Sequence, residues 1–274
     1  MSIVATYDIS TDALVIRAVP QGEHDRLLTL LCPEEGRITV IAKGARSLRN
    51  KLMSPCRAFV WGNFELHYKG DMAWVRDASV IKTFTELEKD IELMYLAQYI
   101  SDVCCELSGQ GEPPGELLPL ALNTFHALCS DKYDRAIVKA VFELRAAAIS
   151  GYLPELSECI RCEKTDAPAF YMDVMSGGIV CSDCIASSPE NVQIPNEQLL
   201  VDTLGTRSII IPISAGVLAA MRYVVQAPMK RLLSFGIASE NDKNTFARVC
   251  ETYILNHLER GFSSLSLYHE LSKK

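Results

Sequence analysis

Four cysteines form the strongest chemical signal in the sequence. They occur as two C-x-x-C pairs, Cys159/Cys162 and Cys181/Cys184, with eighteen residues between the pairs. This spacing is typical of a four-cysteine zinc site, in which each pair lies on a tight knuckle and offers two thiolates to one tetrahedral ion. Because four thiolates complete the coordination sphere, we expect one structural zinc per chain rather than a catalytic metal. The alternative is four core or redox-active cysteines.

The residues between the two pairs predict a β-hairpin. Phe170–Asp173 and Ile179–Val180 lie on either side of Gly177 and Gly178, so a turn there would bring the knuckles together. The remaining six cysteines are scattered through apolar surroundings, where a thiol is most often a small buried hydrophobe. They are Cys32, Cys56, Cys104, Cys105, Cys129 and Cys250.

A basic segment is the second signal. The whole chain has a net charge of −7, which argues against a protein coated with positive charge. Residues 1–83 nevertheless hold eleven basic and nine acidic residues, and residues 37–57 contain no acid at all. The cations of this segment are Arg37, Lys43, Arg46, Arg49, Lys51 and Arg57. Six cations without an acid favour a functional surface, because their repulsion is unfavourable unless an anion neutralises them.

Aromatic residues near this segment suit a protein that binds single-stranded nucleic acid. Cations follow the phosphates of a single strand, and aromatic rings offer stacking surfaces to its bases. The aromatic residues alone are better explained as core of a small barrel, which needs large fillers. They are Phe59, Trp61, Phe64, Tyr68 and Trp74.

Signatures of common enzymes are absent from the sequence. There is no H-E-x-x-H, G-x-S-x-G or phosphate-binding G-x-x-x-x-G-K-[ST] motif, and no H-x-E of a zinc deaminase. The five histidines are far apart, so we predict that the protein is not an enzyme. No uncharged run approaches the ~20 apolar residues of a membrane span, and the N-terminus does not resemble a secretory signal. We therefore expect a soluble, cytosolic protein.

Short strands are predicted for the first eighty residues. Five runs rich in β-branched and aromatic residues are separated by turn signals, with no helical periodicity between them. This number and spacing are typical of a five-stranded OB-fold barrel. The predicted strands are Ala13–Val19, Arg26–Leu31, Arg37–Ala42, Asn63–Tyr68 and Trp74–Ile81.

Helical periodicity begins after Leu87. Leu93, Leu96, Ile100, Val103 and Leu107 recur at intervals of three and four residues, which indicates an amphipathic helix. Further helices are predicted over Glu116–Cys129, Arg135–Ser150, Ala215–Gln226 and Asp242–Arg260. A length of 274 residues suits about two domains. We predict an α+β protein with an OB-fold at 1–82 and a mainly helical domain at 83–274. The latter carries a zinc-ribbon insert at about 156–188.

Four segments in this order resemble the RecO family of bacterial DNA repair proteins. They cover nearly the whole chain: Glu23–Leu52 with its KGAR motif, Phe142–Cys162, Gly177–Cys184 and Tyr253–Leu271. The family often has glycine after the first cysteine pair, where this chain has Glu163. Some members lack the cysteines, so the zinc prediction depends on the four in this sequence.

The resemblance implies a recombination mediator. Such a protein binds single- and double-stranded DNA and anneals complementary strands. With RecR, it helps to load RecA onto DNA coated by single-stranded-DNA-binding protein, in the cytoplasm at the nucleoid. We predict that Arg26 and the six cations of residues 37–57 bind the DNA. Two alternatives remain: a zinc-ribbon redox protein, and a protein-interaction adaptor that does not bind DNA.

Overall fold

The computed structural model describes residues 6–187 and 209–272. These residues form two compact units. One contains the residues up to Ser130 together with those from Phe262 onward, and the other spans Asp131–Gly261. The first unit continues past residue 82. The domain boundary predicted there stays a prediction. None of the described helices is both long enough and apolar enough to cross a bilayer.

The first unit begins with a closed five-stranded barrel, which confirms the predicted OB-fold-like sheet. The strands run in the order β1-β2-β3-β5-β4, with β4 pairing back onto β1. All pairings are antiparallel except that of β3 with β5, which is parallel. The strands are β1 (Thr6–Gln21), β2 (Asp25–Cys32), β3 (Gly36–Ala42), β4 (Val60–Lys69) and β5 (Met72–Thr83).

Alternation along each strand sends one set of side chains into the barrel and the other set outward. Leu28, Leu30, Val40, Phe64 and Leu66 are fully buried in the barrel core. A bulge in β1 between Val15 and Arg17 shifts the register by one residue, so Val15 and Ala18 both contact this core. Residues 17 and 19 consequently face outward, as do the odd-numbered residues of β2 and β3.

The β2–β3 turn is held closely against the segment that follows the first helix. Gly36 has a φ of +66°, and a Cβ there would lie 2.1 Å from the carbonyl oxygen of Glu112. Two backbone hydrogen bonds join the segments: Arg37 N donates to Gly109 O, and Gly111 N donates to Glu35 O, both at 3.0 Å. Both the conformation and the close approach therefore require glycine at position 36.

Three helices complete the first unit: α1 (Ile91–Leu107), α2 (Leu117–Leu128) and α7 (Ser263–Ser272). The predictions for α1 and α2 are confirmed to within two residues. Asp90 caps α1, because its carboxylate accepts hydrogen bonds from Glu92 N and Leu93 N. Helix α7 was not predicted; it packs on α1, and its Ser264 donates to Asp102 Oδ2 at 2.7 Å.

The second unit combines three long helices with a small sheet. The helices are α3 (Arg135–Ile149), α5 (Ala215–Gln226) and α6 (Glu240–His257). The first two match their predicted bounds closely. Helix α6 begins at Glu240 because Ser239 caps it, and it ends before Arg260 because Glu259 has a left-handed backbone, with φ +50°. The predicted bounds of α6 were therefore about two residues late.

A buried ion cluster joins α3 to α6. Lys139 Nζ lies 2.9 Å from Glu143 Oε1 and 2.6 Å from Glu251 Oε2, and all three side chains are almost fully buried. Burial favours the neutral amine, but the two carboxylates outweigh this effect and raise the pKa of Lys139. The lysine therefore remains charged inside the unit, and removing it would leave two buried acids without this partner.

The small sheet has four strands in the order β6-β8-β7-β9. The predicted hairpin is confirmed as β7 (Phe170–Asp173) and β8 (Gly178–Cys181), which are antiparallel. Two further strands, β6 (Glu155–Cys159) and β9 (Ile210–Ile213), were not predicted. The short helix α4 (Ser182–Ala186) follows β8 directly. Residue 188, the predicted end of the insert, lies outside the described residues.

Candidate metal centre and nucleic-acid interface

The four predicted metal ligands converge at one edge of the small sheet. Cys159 is the last residue of β6 and Cys181 is the last residue of β8. These strands are parallel neighbours, so their carboxyl ends meet at the same edge. Cys162 follows on the turn after β6, and Cys184 lies in α4 directly after β8. All four Sγ atoms lie within 4.8 Å of one another.

The first knuckle is closed by backbone hydrogen bonds. Glu163 N donates to Cys159 O at 2.8 Å, and Cys159 N donates to Lys164 O at 2.9 Å. Glu163 adopts a left-handed conformation, with φ +60°. The family that the sequence resembles often has glycine at this position, and glycine adopts that conformation without strain. The knuckle therefore retains its shape although it carries a glutamate.

An ion pair connects the two knuckles across the cluster. Lys164 Nζ lies 2.8 Å from Asp183 Oδ2, which is one residue before Cys184. On the other side, Arg161 Nη2 lies 3.7 Å from the buried carboxylate of Asp173. Both cations lie close to the sulfur cluster, where they partly offset the charge of thiolates.

The surroundings shift the pKa values of the Cys159 and Cys184 thiols in opposite directions. Burial alone would raise the pKa of Cys159. Hydrogen bonds from the backbone N–H groups of Cys181, Arg161 and Cys162 instead lower it to about 6. By contrast, the neighbouring Cys162 sulfur and burial raise the pKa of Cys184 to about 12. Four sulfurs this close cannot all ionise without a positive ion between them, and a metal ion supplies that charge.

The distances also suit a metal bound by four sulfurs. A tetrahedron with metal–sulfur bonds of ~2.3 Å has sulfur–sulfur edges of about 3.8 Å. Cys162 Sγ and Cys181 Sγ are 3.6 Å apart. Cys159 and Cys181 are buried, and the exposed Cys162 completes the cluster from the solvent side. The four cysteines could therefore hold one metal ion with a closed coordination sphere.

The basic segment leaves the barrel at the end of β3. Residues 43–51, the part of the segment that follows β3, are named here the basic loop, which is fixed to the β1–β2 turn. Arg46 N donates to His24 O at 2.9 Å, and Arg46 Nη1 donates to Gly22 O at 2.8 Å. Gly44 N donates to Asp25 Oδ1 at 2.7 Å. These bonds hold the loop against one end of the barrel.

Besides the exposed Arg46, two of the seven predicted DNA-binding cations donate to backbone carbonyls within the protein. Arg26 Nη1 donates to Met53 O at 3.1 Å and to Cys56 O at 2.9 Å. Arg37 Nη1 donates to the carbonyl oxygen of Cys105 in α1. Both side chains are partly buried. These arginines hold the segment and the first helix in place.

Two further cations are paired with acids that are distant in sequence. Lys51 Nζ lies 2.8 Å from Asp77 Oδ1 on β5. Arg57 contacts the carboxylate of Glu88, which precedes α1. The segment contains no acid of its own, but the fold brings two acids to it. Two of its six cations are therefore paired within the protein, and only the others could require an external anion.

Lys43, Arg46 and Arg49 are exposed and have no carboxylate partner among the described residues. Lys43 Nζ lies 5.9 Å from the centre of the Trp74 ring, within the range of a cation–π contact. All three belong to the basic loop. They are the cations of the predicted set that remain available to an external anion.

An apolar row on the outside of the barrel lies next to the basic loop. Cross-strand pairing joins Val19 to Leu27, Leu27 to Ile41 and Ile41 to Trp74. Residues paired in this way lie on the same face of a sheet, and these four face outward. All four are half-buried. We call them the outer row; the exposed Arg17 lies beside it, paired with Thr29 on the same outer face.

The aromatic residues divide between core and surface. Phe64 is buried in the barrel core and Tyr68 contacts that core, as the filler interpretation predicted, whereas the buried Phe59 packs edge-on against Phe125 of α2. Trp61 and Trp74 face outward and are half-buried. The sequence did not separate Trp74 or Arg17 from the core residues around them. The alternation of inward-facing and outward-facing positions along the strands could have identified Trp74 and Arg17 as surface residues. Using it required the register of the barrel strands to be known.

Comparison with known proteins identifies the family. A family model described as "Recombination protein O N terminal" matches residues 5–84, and one described as "Recombination protein O C terminal" matches residues 88–201. The chain belongs to the RecO family. The first match contains the whole basic segment and the outer row. The second contains all four cysteines of the metal centre.

Full-length relatives agree with this assignment. A "DNA repair protein RecO" of Acetivibrio thermocellus is 27% identical over 97% of this chain and 98% of its own length. One of Pelotomaculum thermopropionicum is 27% identical over 92% and 90% of the two chains. One of Dehalococcoides mccartyi is 30% identical over 65% of this chain and 70% of its own. The RecO family supports a role in DNA repair and recombination.

Proposed function

We propose that this protein is a recombination mediator that binds single- and double-stranded DNA and anneals complementary strands. With RecR, it would help to load RecA onto DNA coated by single-stranded-DNA-binding protein, in the cytoplasm at the nucleoid. The observation that carries the proposal is the outer row, which ends in Trp74 beside the exposed cations of the basic loop. The resemblance noted in the sequence supplies the annealing and loading steps.

Each part of this surface has a separate task in the proposal. Lys43, Arg46 and Arg49 neutralise phosphates, which gives affinity without sequence preference. Trp74 and the outer row offer an apolar surface on which unpaired bases stack, at about 1–3 kcal/mol per base. Arg26, Arg37, Lys51 and Arg57 remain in the proposed DNA-binding set. Because these four side chains make contacts within the protein, their main contribution is to hold the binding surface in shape.

Annealing follows from the same arrangement. Two complementary strands repel each other through their phosphates, and a shared cationic surface reduces that repulsion. Contacts to phosphates carry no base information, so the bases remain free to pair. The reaction needs no bond to be made or broken by the protein, and we therefore propose no catalytic residue.

We propose that the metal is one zinc ion per chain and that its role is structural. Four thiolates leave no open position for substrate or water. The redox alternative makes the opposite prediction for native protein: reactive cysteine pairs would be modified rapidly by a thiol reagent. Protected cysteines in the zinc-loaded protein, exposed after chelation, would support the structural role.

The remaining surface suits protein partners. Residues 84–274 have sixteen basic and twenty-five acidic residues, so DNA is not attracted to them in general. We propose that RecR, RecA and single-stranded-DNA-binding protein contact the molecule away from the basic loop. The adaptor alternative, without any DNA contact, predicts no binding to labelled oligonucleotides at low salt.

Fluorescence polarisation with a labelled single strand tests the proposal at Trp74. Trp74→Ala should weaken binding by about five- to one-hundredfold, because one stacking surface is lost. Its dependence on salt should not change, because no charge is removed. Trp61→Ala is the matched control, since Trp61 is also outward-facing and half-buried but lies outside the outer row. Equal losses in the two variants would contradict the proposed surface.

A further inference from the structure

The tip of the basic loop carries a leucine that the proposed function does not use. Leu48 is 88% exposed, whereas the next most exposed large hydrophobic residue of the described chain, Leu153, is 62% exposed. A single exposed leucine is common in itself. The position of Leu48 is unusual because exposed cations, Arg46 and Arg49, lie on both sides of it in sequence.

The loop around Leu48 is held in a defined conformation. Ser47 N donates to Gly44 O at 2.9 Å, and Asn50 N donates to Ser47 O at 3.0 Å, which makes two successive turns. The side chain of Asn50 closes the loop by donating to Lys43 O at 3.2 Å. Ala45 is buried and anchors the loop to the barrel core. The structure therefore presents Leu48 on a supported tip rather than on a free segment.

We propose that Leu48 enters the base stack of the DNA held by the basic loop and opens a base step. This inference rests on the proposed function and deepens it, because it assigns a residue that separates bases as well as residues that hold phosphates. Apolar side chains of this size are used as wedges between base steps by proteins that unstack DNA. Cations on either side of the leucine would hold the two phosphates that flank the opened step.

DNA fits this tip better than a membrane does. One leucine and three nearby cations give only weak attachment to an anionic bilayer, which requires a larger buried apolar area. The same group of residues is sufficient for a single base step. Ile41 of the outer row lies two residues before Lys43 in sequence, so an unstacked base has an apolar surface nearby.

Oligonucleotides carrying 2-aminopurine, whose fluorescence rises when it is unstacked, test this inference. Leu48→Ser should abolish most of the fluorescence rise and weaken binding by about five- to tenfold. The slope of log affinity against log salt should stay the same, because no charge is lost. Leu48→Met, which keeps an apolar side chain of similar length, should behave like the parent. Leu153→Ser is the matched control for replacing an exposed leucine, and it should change neither signal.

The contrary outcomes distinguish failure of the wedge from failure of the proposed function. A Leu48→Ser variant with parental affinity and a parental fluorescence rise would overturn the wedge. The proposed function would stand if Lys43→Ala/Arg46→Ala/Arg49→Ala still lost binding in the same assay. If Leu48→Ser lost binding to vesicles containing anionic lipid but kept its binding to DNA, the wedge would also be overturned and Leu48 would be assigned to a membrane surface.

Discussion

The metal centre and the basic segment are both clusters of like side chains, but the fold arranges them in opposite ways. Two parallel strands end side by side and direct four cysteines to one point, with all Sγ atoms within 4.8 Å. The seven predicted cations instead point to different partners: backbone carbonyls, two acids, an indole ring and solvent. The cysteines converge on one point, whereas some of the cations contact the rest of the protein and others remain exposed.

This difference follows from what each cluster must do. A tetrahedral ion accepts four ligands at one distance, so every cysteine has the same role. In the proposed function, phosphates along a flexible strand need only a positive surface, so some of the cations can serve the stability of the protein instead. Loss of one member should therefore have a uniform effect in the metal centre and unequal effects in the basic segment.

The largest effect is expected for removal of a metal ligand. Cys162→Ser should abolish the stoichiometric zinc and unfold the small sheet, because structural zinc sites contribute of the order of 10 kcal/mol in small peptides. Metal analysis by mass spectrometry and thermal unfolding measure the two effects. Cys129→Ser, a cysteine outside the cluster, should retain one zinc per chain. A parent protein without metal, prepared without chelator, would contradict this account.

A smaller effect on stability is expected for Arg26. Arg26→Met should lower the free energy of unfolding by about 2–3 kcal/mol, because the carbonyls of Met53 and Cys56 lose a charged donor. Arg49→Met should change it by less than about 0.5 kcal/mol, since that side chain is exposed. Urea unfolding compares the two variants. If the two variants lost the same stability, the proposed division of the cations would be wrong.

The elements with strong local patterns could be predicted from the sequence. The five barrel strands were runs rich in β-branched and aromatic residues between turn signals, and α1, α3 and α6 showed helical periodicity. Helix α7 was missed because only Leu265 and Tyr268 of its apolar residues are buried, and its packing on α1 is a distant contact. Strand β6 is polar and is stabilised by pairing with β8, which the local sequence does not reveal.

The metal centre and the basic segment also differed in how much of each could be predicted from the sequence. Spacing alone located all four cysteines, because each pair forms its own knuckle. The sequence located the cations but did not show which of them have partners within the protein. Those partners, Asp77, Glu88 and the Cys105 carbonyl, belong to other elements. The outer row became visible only when the β1 bulge and the β3–β5 pairing fixed the register.

The smallest effect concerns Asp77, which is paired with Lys51 and would compete with a phosphate for it in the proposed function. Asp77→Asn should release Lys51 for a phosphate and steepen the slope of log affinity against log salt by up to about 0.7. Asparagine retains the oxygen that accepts from Ala78 N, so the strand should be preserved. Asp71→Asn removes the same charge from the exposed β4–β5 turn and is the control. Equal slopes for the two variants would indicate a general charge effect rather than release of Lys51.

The most direct test of the central claim measures single-strand affinity against salt concentration when the exposed cations of the basic loop are removed. Lys43→Ala/Arg46→Ala/Arg49→Ala should flatten the slope of log affinity against log salt by about 2, because three phosphate contacts of ~0.7 each are lost. Zinc content should not change. Lys230→Ala/Arg231→Ala/Lys243→Ala, in the second unit, should leave the slope within about 0.5 of the parent. If that control triple lost more affinity than the loop triple, the barrel would not be the principal DNA site.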